Sequence, residues 1–517
     1  MNEIIFFHSP RNPISSIFEL EEFVRSICPL EDIKSIIILT IDNDLSIPKG
    51  IQDFQHKFQS TCNFIKVDKL DPSEWTGRED PETFWADSLE EILNQSEFIN
   101  RGLVRNFILN IGDGWNTAIL YFLSEIINGK IWIKINENQN LNLTRKSQNE
   151  NQKVLFESIG KFFSENPDEN SFTARDLIGS GAISAKGVEN SLRKYDDLFS
   201  SLSEGKDKHY FVNQIGEYNF LLNYSSKLSN SSHDNNKRGL IVFSRTNDDP
   251  TFIKDYLQEH RTNYDVFSFV SMGYDDENSS NYCDVVQSAE DILGSRGIIS
   301  SKGKEIIVYQ NNRDEILDNS IQTIRKLNQI RQENPEYEWA VDITRTLAIF
   351  RPTILQYCFI SRIKSLYFTK IWSDGKSVFE SGLSKNAHTL SLPEVDDLLS
   401  IRNATKYTMK DSSMEFLKFL ITIYTFHKDD EKTGMILENT QKSGTSGIRI
   451  HDYNREAFAN NQQLIMGEAN SSNAYNICKR YLKRAEDFGL IEINAPGIKL
   501  NSLGKIVACL LLSQFRS

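Results

Sequence analysis

Two short polar loops, each following a strongly apolar segment, carry the side chains best suited to binding a phosphate. They hold Ser9, Arg11 and Asn12 after residues 4–7, and Ser244, Arg245, Thr246 and Asn247 after residues 240–243. An arginine beside hydroxyl and amide groups offers positive charge and hydrogen-bond donors to a phosphate. Ligands of open α/β sheets bind at the carboxyl ends of strands, where these loops fall. The alternative for each loop is an ordinary strand-to-helix turn with a solvated arginine.

A second pair of loops follows the apolar segments 107–111 and 339–343. The residues of interest are Gly112, Asp113, Gly114 and Asn116 in the first loop, and Thr344 and Arg345 in the second. Glycine permits close approach of a ligand to the backbone, an aspartate suits a sugar hydroxyl, and threonine can donate a hydroxyl. The alternative is a structural turn in which Asn116 caps the next helix. For Thr346 we favour a helix cap.

No residue spacing typical of catalysis or of a metal centre occurs in the chain. The acidic clusters 42–44 and 275–276 are interpreted as solvated strand ends rather than magnesium ligands. Phosphate-loop, zinc-protease and serine-hydrolase motifs are absent, and the eight histidines are scattered. We therefore expect no catalytic residue, no metal and no cofactor.

The elements that must position these loops are strands alternating with helices, and they occur twice. Similar strand–turn–helix patterns recur about 231 to 236 positions apart, and the strands are apolar on both faces. Such strands predict a parallel sheet covered by helices. The predicted fold class is α/β, with Rossmann-like parallel-sheet domains at 1–145 and 239–400 and a polar linker at 225–238.

Short helices and a strand pair follow each sheet. In 150–224 the predicted helices are 154–164, 174–178 and 185–199, and the predicted strands are 208–212 and 218–222, joined through Gly216. In 411–517 the predicted helices are 414–425 and 473–488, and the predicted strands are 490–493 and 498–500. This order predicts a winged-helix domain after each sheet.

Charge distinguishes the two predicted winged helices. The whole chain of 517 residues has 58 Lys and Arg against 71 Asp and Glu, a net charge of −13, so any nucleic-acid surface must be local. Segment 150–224 has 8 basic and 12 acidic residues, whereas 411–517 has 13 and 12. The candidate DNA-binding residues are therefore placed on the last helix, at Asn473, Asn476, Lys479, Arg480, Lys483 and Arg484. The alternative is a solvated basic face.

This succession of elements resembles the CRISPR-associated Rossmann-fold (CARF) transcription-factor family, in tandem. The turn at 110–117 keeps an asparagine and two glycines of the pattern such domains carry, and Leu390-Ser391-Leu392-Pro393 resembles their closing segment. The resemblance implies a cyclic oligoadenylate ligand at the sheets and double-stranded DNA at the winged helix.

The sequence thus predicts a nucleotide-sensing, DNA-binding regulator linked to CRISPR or antiviral defence. Its sheets would pair within the chain or, as we expect, across a homodimer. The alternatives are a metal-independent nuclease that opens the cyclic ligand, and a scaffold with degenerate pockets. Six dispersed cysteines, the absence of apolar runs near 20 residues and the lack of a basic leader predict a cytoplasmic protein without a membrane partner.

Overall fold

The computed structural model describes most of the helices and strands of the chain. Apart from isolated positions, the described residues are 1–7, 17–40, 61–66, 81–94, 103–109, 114–136, 139–144, 150–178, 185–192, 198–204, 207–228, 237–245, 263–273, 316–347, 349–370, 387–409, 480–494 and 497–515.

The first sheet has six strands in the order β3-β2-β1-β4-β5-β6. Their bounds are β1 Asn2–Phe7, β2 Ile33–Thr40, β3 Thr61–Lys66, β4 Val104–Ile108, β5 Lys130–Asn136 and β6 Gln139–Asn142. β6 is antiparallel to β5, and the other neighbours are parallel. Residues 136–151, a tract rich in Asn and Gln, therefore contain an edge strand that apolar periodicity did not reveal.

Helices cover both faces of this sheet. They are α1 Ile17–Arg25, α2 Pro81–Asn94 and α3 Gly114–Ile126, with a short 3-10 turn at Leu30–Asp32. Because successive strand residues point to opposite faces, Ile4 and Phe6 pack with Leu20 and Phe23 of α1. Ile5 packs on the other face, in the larger core to which α2 and α3 contribute. The prediction of a helix-covered parallel sheet is confirmed.

Residues 150–225, here called the first module, follow the first sheet. The elements are α4 Glu150–Glu165, β7 Ser171–Thr173, α5 Ala174–Ile178, α6 Ala185–Leu192, β8 Phe199–Glu204, β9 Asp207–Val212 and α7 Gln214–Ser225. The three strands form an antiparallel sheet in the order β7-β9-β8. The assignment of this module as a winged helix stays a prediction.

Two predictions for the first module are wrong. The helix predicted at 185–199 ends at Leu192, and Phe199 begins β8. The strand predicted at 218–222 is helix α7, because the Asn213 side chain accepts a hydrogen bond from the Gly216 amide (2.8 Å) and so caps the helix. Gly216 is not a hairpin turn: a Cβ there would lie 2.4 Å from the Leu198 carbonyl oxygen, so glycine permits close packing.

The second sheet repeats the first in the order β12-β11-β10-β13-β14-β15. Its strands are β10 Arg238–Arg245, β11 Val266–Gly273, β12 Ile306–Ile307, β13 Glu338–Asp342, β14 Lys364–Lys370 and β15 Ala387–Ser391, and its helices are α8 Ile316–Glu333 and α9 Arg351–Ser361. Only the last strand pair, β14 with β15, is antiparallel among the described pairs of this sheet.

Residues 395–515, here called the second module, close the chain. The described elements are α10 Val395–Thr408, a helix at 480–487, β16 Ile491–Asn494, β17 Gly497–Leu500 and α11 Ser502–Phe515. The β16–β17 hairpin leads into α11 as the β8–β9 hairpin leads into α7. Neither terminal helix was predicted from the sequence.

The duplication extends to individual backbone hydrogen bonds at the carboxyl ends of helices α3 and α9. The Gly129 amide donates to the Ser124 carbonyl (2.8 Å), and the Ile363 amide donates to Cys358 (2.9 Å), 234 positions later. Each of these helix ends has a left-handed residue that is not glycine, Asn128 with φ 55° and Arg362 with φ 53°. The carboxyl ends of these two helices are therefore equivalent in detail.

The halves pack crosswise. Helix α3 contacts α9, and Phe359 meets the rings of Tyr121 and Phe122 at centroid distances of 6.1 and 6.5 Å. Helix α7 of the first module packs on α8 and α9 of the second sheet, while α11 of the second module packs on α2 of the first sheet. Each module is thus attached to the sheet of the opposite half.

Candidate functional site

The strand order creates one topological switch point in each sheet. The chain leaves β1 toward one side to reach β2 and leaves β4 toward the other to reach β5, so the loops after β1 and β4 diverge. Such a topological switch point is where open α/β sheets bind ligands. The second sheet has the same point between β10 and β13. The four loops singled out in the sequence follow these four strands.

In the first sheet, the structure describes the helix side of the switch point. Ser9, Arg11, Asn12, Gly112 and Asp113 lie outside the described residues, and Gly114 is the first residue of α3.

Asn116 does not cap α3, because the helix begins two residues earlier. Asn116 and Thr117 are buried in its first turn, and the Thr117 hydroxyl donates to the Leu109 carbonyl (3.0 Å). That hydrogen bond fixes the first turn of α3 to the end of β4. The amides at the start of a helix have no partner within it, so they can serve a ligand.

In the second sheet, the strand side of the switch point is described. Ser244 and Arg245 are the last residues of β10, while Thr246 and Asn247 lie outside the described residues. Asp342 ends β13, is 2% exposed, and accepts a hydrogen bond from the Thr344 amide (2.7 Å). Thr344 and Arg345 follow it and are half-buried.

Thr346 is not the cap we expected. Helix α9 begins at Arg351, five residues after Thr346, and Phe350 precedes it. Thr346 is fully buried, and its carbonyl accepts a hydrogen bond from Nε of the buried Arg351 (3.1 Å). Arg351 therefore holds the loop after β13 in place. Sequence reasoning missed it because an arginine beside Pro352 at a helix start is usually solvated.

The predicted DNA-binding face is only partly described. Asn473, Asn476 and Lys479 lie outside the described residues, whereas Arg480 and Lys483 are exposed on the helix at 480–487. The Arg484 guanidinium lies over the Tyr407 ring at 4.5 Å and the Phe488 ring at 5.1 Å. Cation–π contacts within its own module therefore engage Arg484, and the Arg480 guanidinium likewise lies over the Tyr481 ring at 4.8 Å.

A pocket lies at the opposite end of the second sheet from the switch point. It encloses about 80 Å³ between α3, α9 and the start of α10, and Tyr121, Phe122, Cys358, Phe359, Arg362 and Asp396 contribute to its lining. Burial raises the pKa of the Cys358 thiol to about 12, so this thiol stays protonated. No group of three potential metal ligands occurs among the described residues.

Comparisons with known proteins do not assign a family. No protein-family model and no curated protein matches the chain. Protein VC1899 from Vibrio cholerae is 10% identical, with a TM-score of 0.21, over 65% of this chain and 98% of that one.

Two further solved structures are similar at the same level. Can2 from Sulfobacillus thermosulfidooxidans in complex with cyclic tetra-adenylate is 10% identical, with a TM-score of 0.18, over 63% of this chain and 99% of that one. UDP-GlcNAc 2-epimerase from Neisseria meningitidis bound to UDP-GlcNAc is 11% identical, with a TM-score of 0.17, over 69% and 98%. TM-scores this low do not show a common fold.

The described helices can be compared with the length and apolar character that a membrane-spanning helix needs. None of them has both the length and the apolar character needed to cross a bilayer.

Proposed function

We propose that the protein is a ligand-responsive regulator that senses a nucleotide, with a cyclic oligoadenylate as the first candidate, at the switch points of its two sheets. One observation carries this proposal. The four loops that hold the candidate ligand-binding residues follow β1, β4, β10 and β13, the strands that flank the two switch points. This coincidence of residue chemistry with the observed strand order supports a ligand site at each switch point.

The register of the second sheet supports an anionic ligand. Val242 of β10 pairs with Asp342 of β13 in parallel. Arg245 and Arg345 each follow three residues after that pair, so adjacent chain segments both carry a guanidinium at this edge. Two arginines on adjacent chain segments at one edge of the sheet favour a phosphodiester over a neutral ligand.

The pairing of α3 with α9 gives such a ligand a way to act. Both helices begin after a switch-point strand, and they contact each other between the halves. A ligand that contacts the loop before α3 and the loop before α9 would bind one arrangement of these helices more tightly than another. That difference in affinity is what a conformational response requires.

Titration calorimetry with cyclic tetra-adenylate and cyclic hexa-adenylate tests the ligand. We expect one of them to bind and Arg245→Ala to weaken binding at least about tenfold, because a charge-assisted contact to phosphate is lost. Arg238→Ala is the matched control, since Arg238 is exposed at the other end of the same strand. Equal affinity of the two variants, or no heat with either nucleotide, contradicts the proposal.

The alternative enzymatic function is tested on the same samples. Chromatography after incubation with the labelled cyclic nucleotide separates intact from linear product. Linear product that Arg11→Ala or Arg245→Ala abolishes favours a nuclease acting through the ligand's own 2′-hydroxyl. Intact ligand favours the regulator.

For the output, we propose that the second module contacts double-stranded DNA through the helix at 480–487. Exposed Arg480 and Lys483 support this. In mobility shifts, Lys483→Glu is expected to weaken duplex binding and to lower the slope of affinity against salt by about one. Lys153→Glu, the same charge change at an exposed position of the first module, is the control. Equal effects of both would show a net-charge effect rather than a contact.

The homodimer expected from the sequence stays a prediction. Within one chain, α3 of the first half already contacts α9 of the second half. This is the pairing of the two sheets that the dimer was expected to provide. Light scattering with and without nucleotide measures whether a second chain joins.

A further inference from the structure

The two terminal helices occupy equivalent positions in their modules. The Asn213 amide donates to the Leu198 carbonyl and the Asn501 amide to the Leu490 carbonyl, each at 3.0 Å. The same two asparagine side chains accept from the Gly216 and Gly504 amides, at 2.8 and 3.0 Å. The next residue, Glu217 in α7 and Lys505 in α11, is therefore the same position of the two modules.

The helices that receive them are equivalent too. Buried residues recur with the same spacing on α2, at 85, 86, 89, 92 and 93, and on α8, at 323, 324, 327, 330 and 331. In this alignment Asp87 of α2 corresponds to Arg325 of α8. Both are only partly exposed, at 16% and 15%.

These four residues form two ion pairs of opposite polarity. In the contact of the first module with the second sheet, Arg325 pairs with Glu217, so the module carries the acid. In the contact of the second module with the first sheet, Lys505 Nζ lies 3.8 Å from Asp87 Oδ1, so the module carries the base. The equivalent residues of the two contacts, here called the shared frame, thus differ in polarity at this position. The acid lies on the module in one contact and on the sheet in the other.

We propose that this reversal selects the crosswise docking of the modules. Docking of each module on the sheet of its own half would place Glu217 against Asp87 and Lys505 against Arg325. Both are like-charge contacts at partly desolvated positions, where repulsion is strong. The crosswise arrangement turns both into attractions. Glu217, Asp87, Arg325 and Lys505 are thus specificity-determining residues of an interface between two parts of one chain.

This role is separate from stabilisation. A partly exposed ion pair adds little to stability, and the apolar positions that the two contacts share do not by themselves distinguish the modules. Discrimination between two otherwise similar partners needs a repulsive element against the wrong one. The inference requires no ligand, so it stands or falls independently of the proposed function.

Two full-length variants remove the discrimination while leaving both crosswise contacts attractive. Glu217→Lys with Arg325→Glu gives both modules a lysine and both sheets an acid. Asp87→Lys with Lys505→Glu gives both modules an acid and both sheets a base. After refolding, a zero-length carbodiimide couples lysines to the carboxylates they touch, and peptide mass spectrometry identifies each linkage.

In the wild type we expect the 505–87 linkage. In the Glu217→Lys/Arg325→Glu variant we expect the same-half linkages 217–87 and 505–325 to appear at about a tenth or more of the crosswise ones. In the Asp87→Lys/Lys505→Glu variant the same-half linkage to expect is 217–87, because carbodiimide does not couple the guanidinium of Arg325. The ion pair of Glu157 in the first module with Lys227, two residues after the module, has a separation of 2.8 Å and is the internal control for the reagent. Only crosswise linkages in both variants, with the control linkage present, would overturn the proposal and assign the selection to shape.

Discussion

The two docking contacts share a frame but differ at their centres. The buried residue that α8 presents to the first module is Arg331, whereas the corresponding position of α2 is Leu93, also buried. Arg331 Nη1 donates to the Ser225 carbonyl at the end of α7 (3.1 Å) and to the Tyr357 hydroxyl (3.3 Å). The second contact instead has Tyr424, whose hydroxyl donates to Glu90 Oε1 (2.6 Å).

The difference shows how a duplicated frame can hold two parts unequally. A buried guanidinium at the carboxyl end of a helix satisfies an orphan carbonyl and interacts favourably with the helix dipole. The first contact is also bridged by Gln356, which accepts from the Tyr218 hydroxyl (2.6 Å) and donates to the Leu143 carbonyl (3.1 Å). The first module is thus fixed by directional hydrogen bonds that span both halves.

The largest expected effect tests the shared frame. Gly504→Ala and Gly216→Ala are each expected to lower the free energy of unfolding by roughly 2 to 3 kcal/mol, because an added methyl overpacks the site. The new Cβ would lie 2.1 Å from the Leu490 oxygen and 2.4 Å from the Leu198 oxygen. Urea unfolding measures this, with Ile215→Ala, exposed in the first turn of α7, as the control. A loss of stability in only one of the two glycine variants would contradict the equivalence of the modules.

The next largest effect distinguishes Arg331, at the centre of the first contact, from Leu93 at the corresponding position of the second. Arg331→Met should destabilise the protein by about 1 to 2 kcal/mol, since the Ser225 carbonyl and the Tyr357 hydroxyl lose a partner in a buried site. Leu93→Met, at the corresponding position, should cost less than about 1 kcal/mol. Hydrogen exchange should quicken at the end of α7 only in the first variant. Greater stability of Arg331→Met would show that desolvation of the guanidinium outweighs its hydrogen bonds.

The smallest effect concerns pH. Burial raises the pKa of Glu217 above its ordinary value, although the ion pair with Arg325 opposes the rise. The folded state therefore binds more protons than the unfolded chain between the two pKa values, and stability falls as pH increases through that interval. Glu217→Gln should flatten this part of the curve of melting temperature against pH. An unchanged slope would contradict the assignment to Glu217.

Apolar periodicity was enough to predict most of the sheet strands but not the terminal helices. Ile36–Leu39 and Leu240–Phe243 are apolar on consecutive positions, which only a strand buried on both faces or a buried helix allows. The same ambiguity misled the prediction at Tyr218–Leu222, where an apolar run belongs to a helix. Asn213 followed by Gly216 was the available signal, since it is a helix cap rather than a hairpin turn.

The candidate binding loops could be chosen from residue types, because phosphate binding restricts chemistry and strand ends restrict position. The residues that join the halves could not. Arg331 and Arg351 look like surface charges in a sequence, and their burial depends on partners over 100 positions away or on the exact start of a helix. The ion pairs of Glu217 and Lys505 likewise depend on which sheet each module meets.

The reversed ion pair also constrains how this chain could have arisen. In a symmetric dimer of one half, both docking contacts would come from the same sequence and would carry the same polarity. An acid on one module and a base on the other can be encoded only when the two copies can mutate separately. The charge exchange between positions 217 and 505 is therefore a mark of joined copies that have diverged, and it would be lost if either half were restored to a twofold assembly of itself.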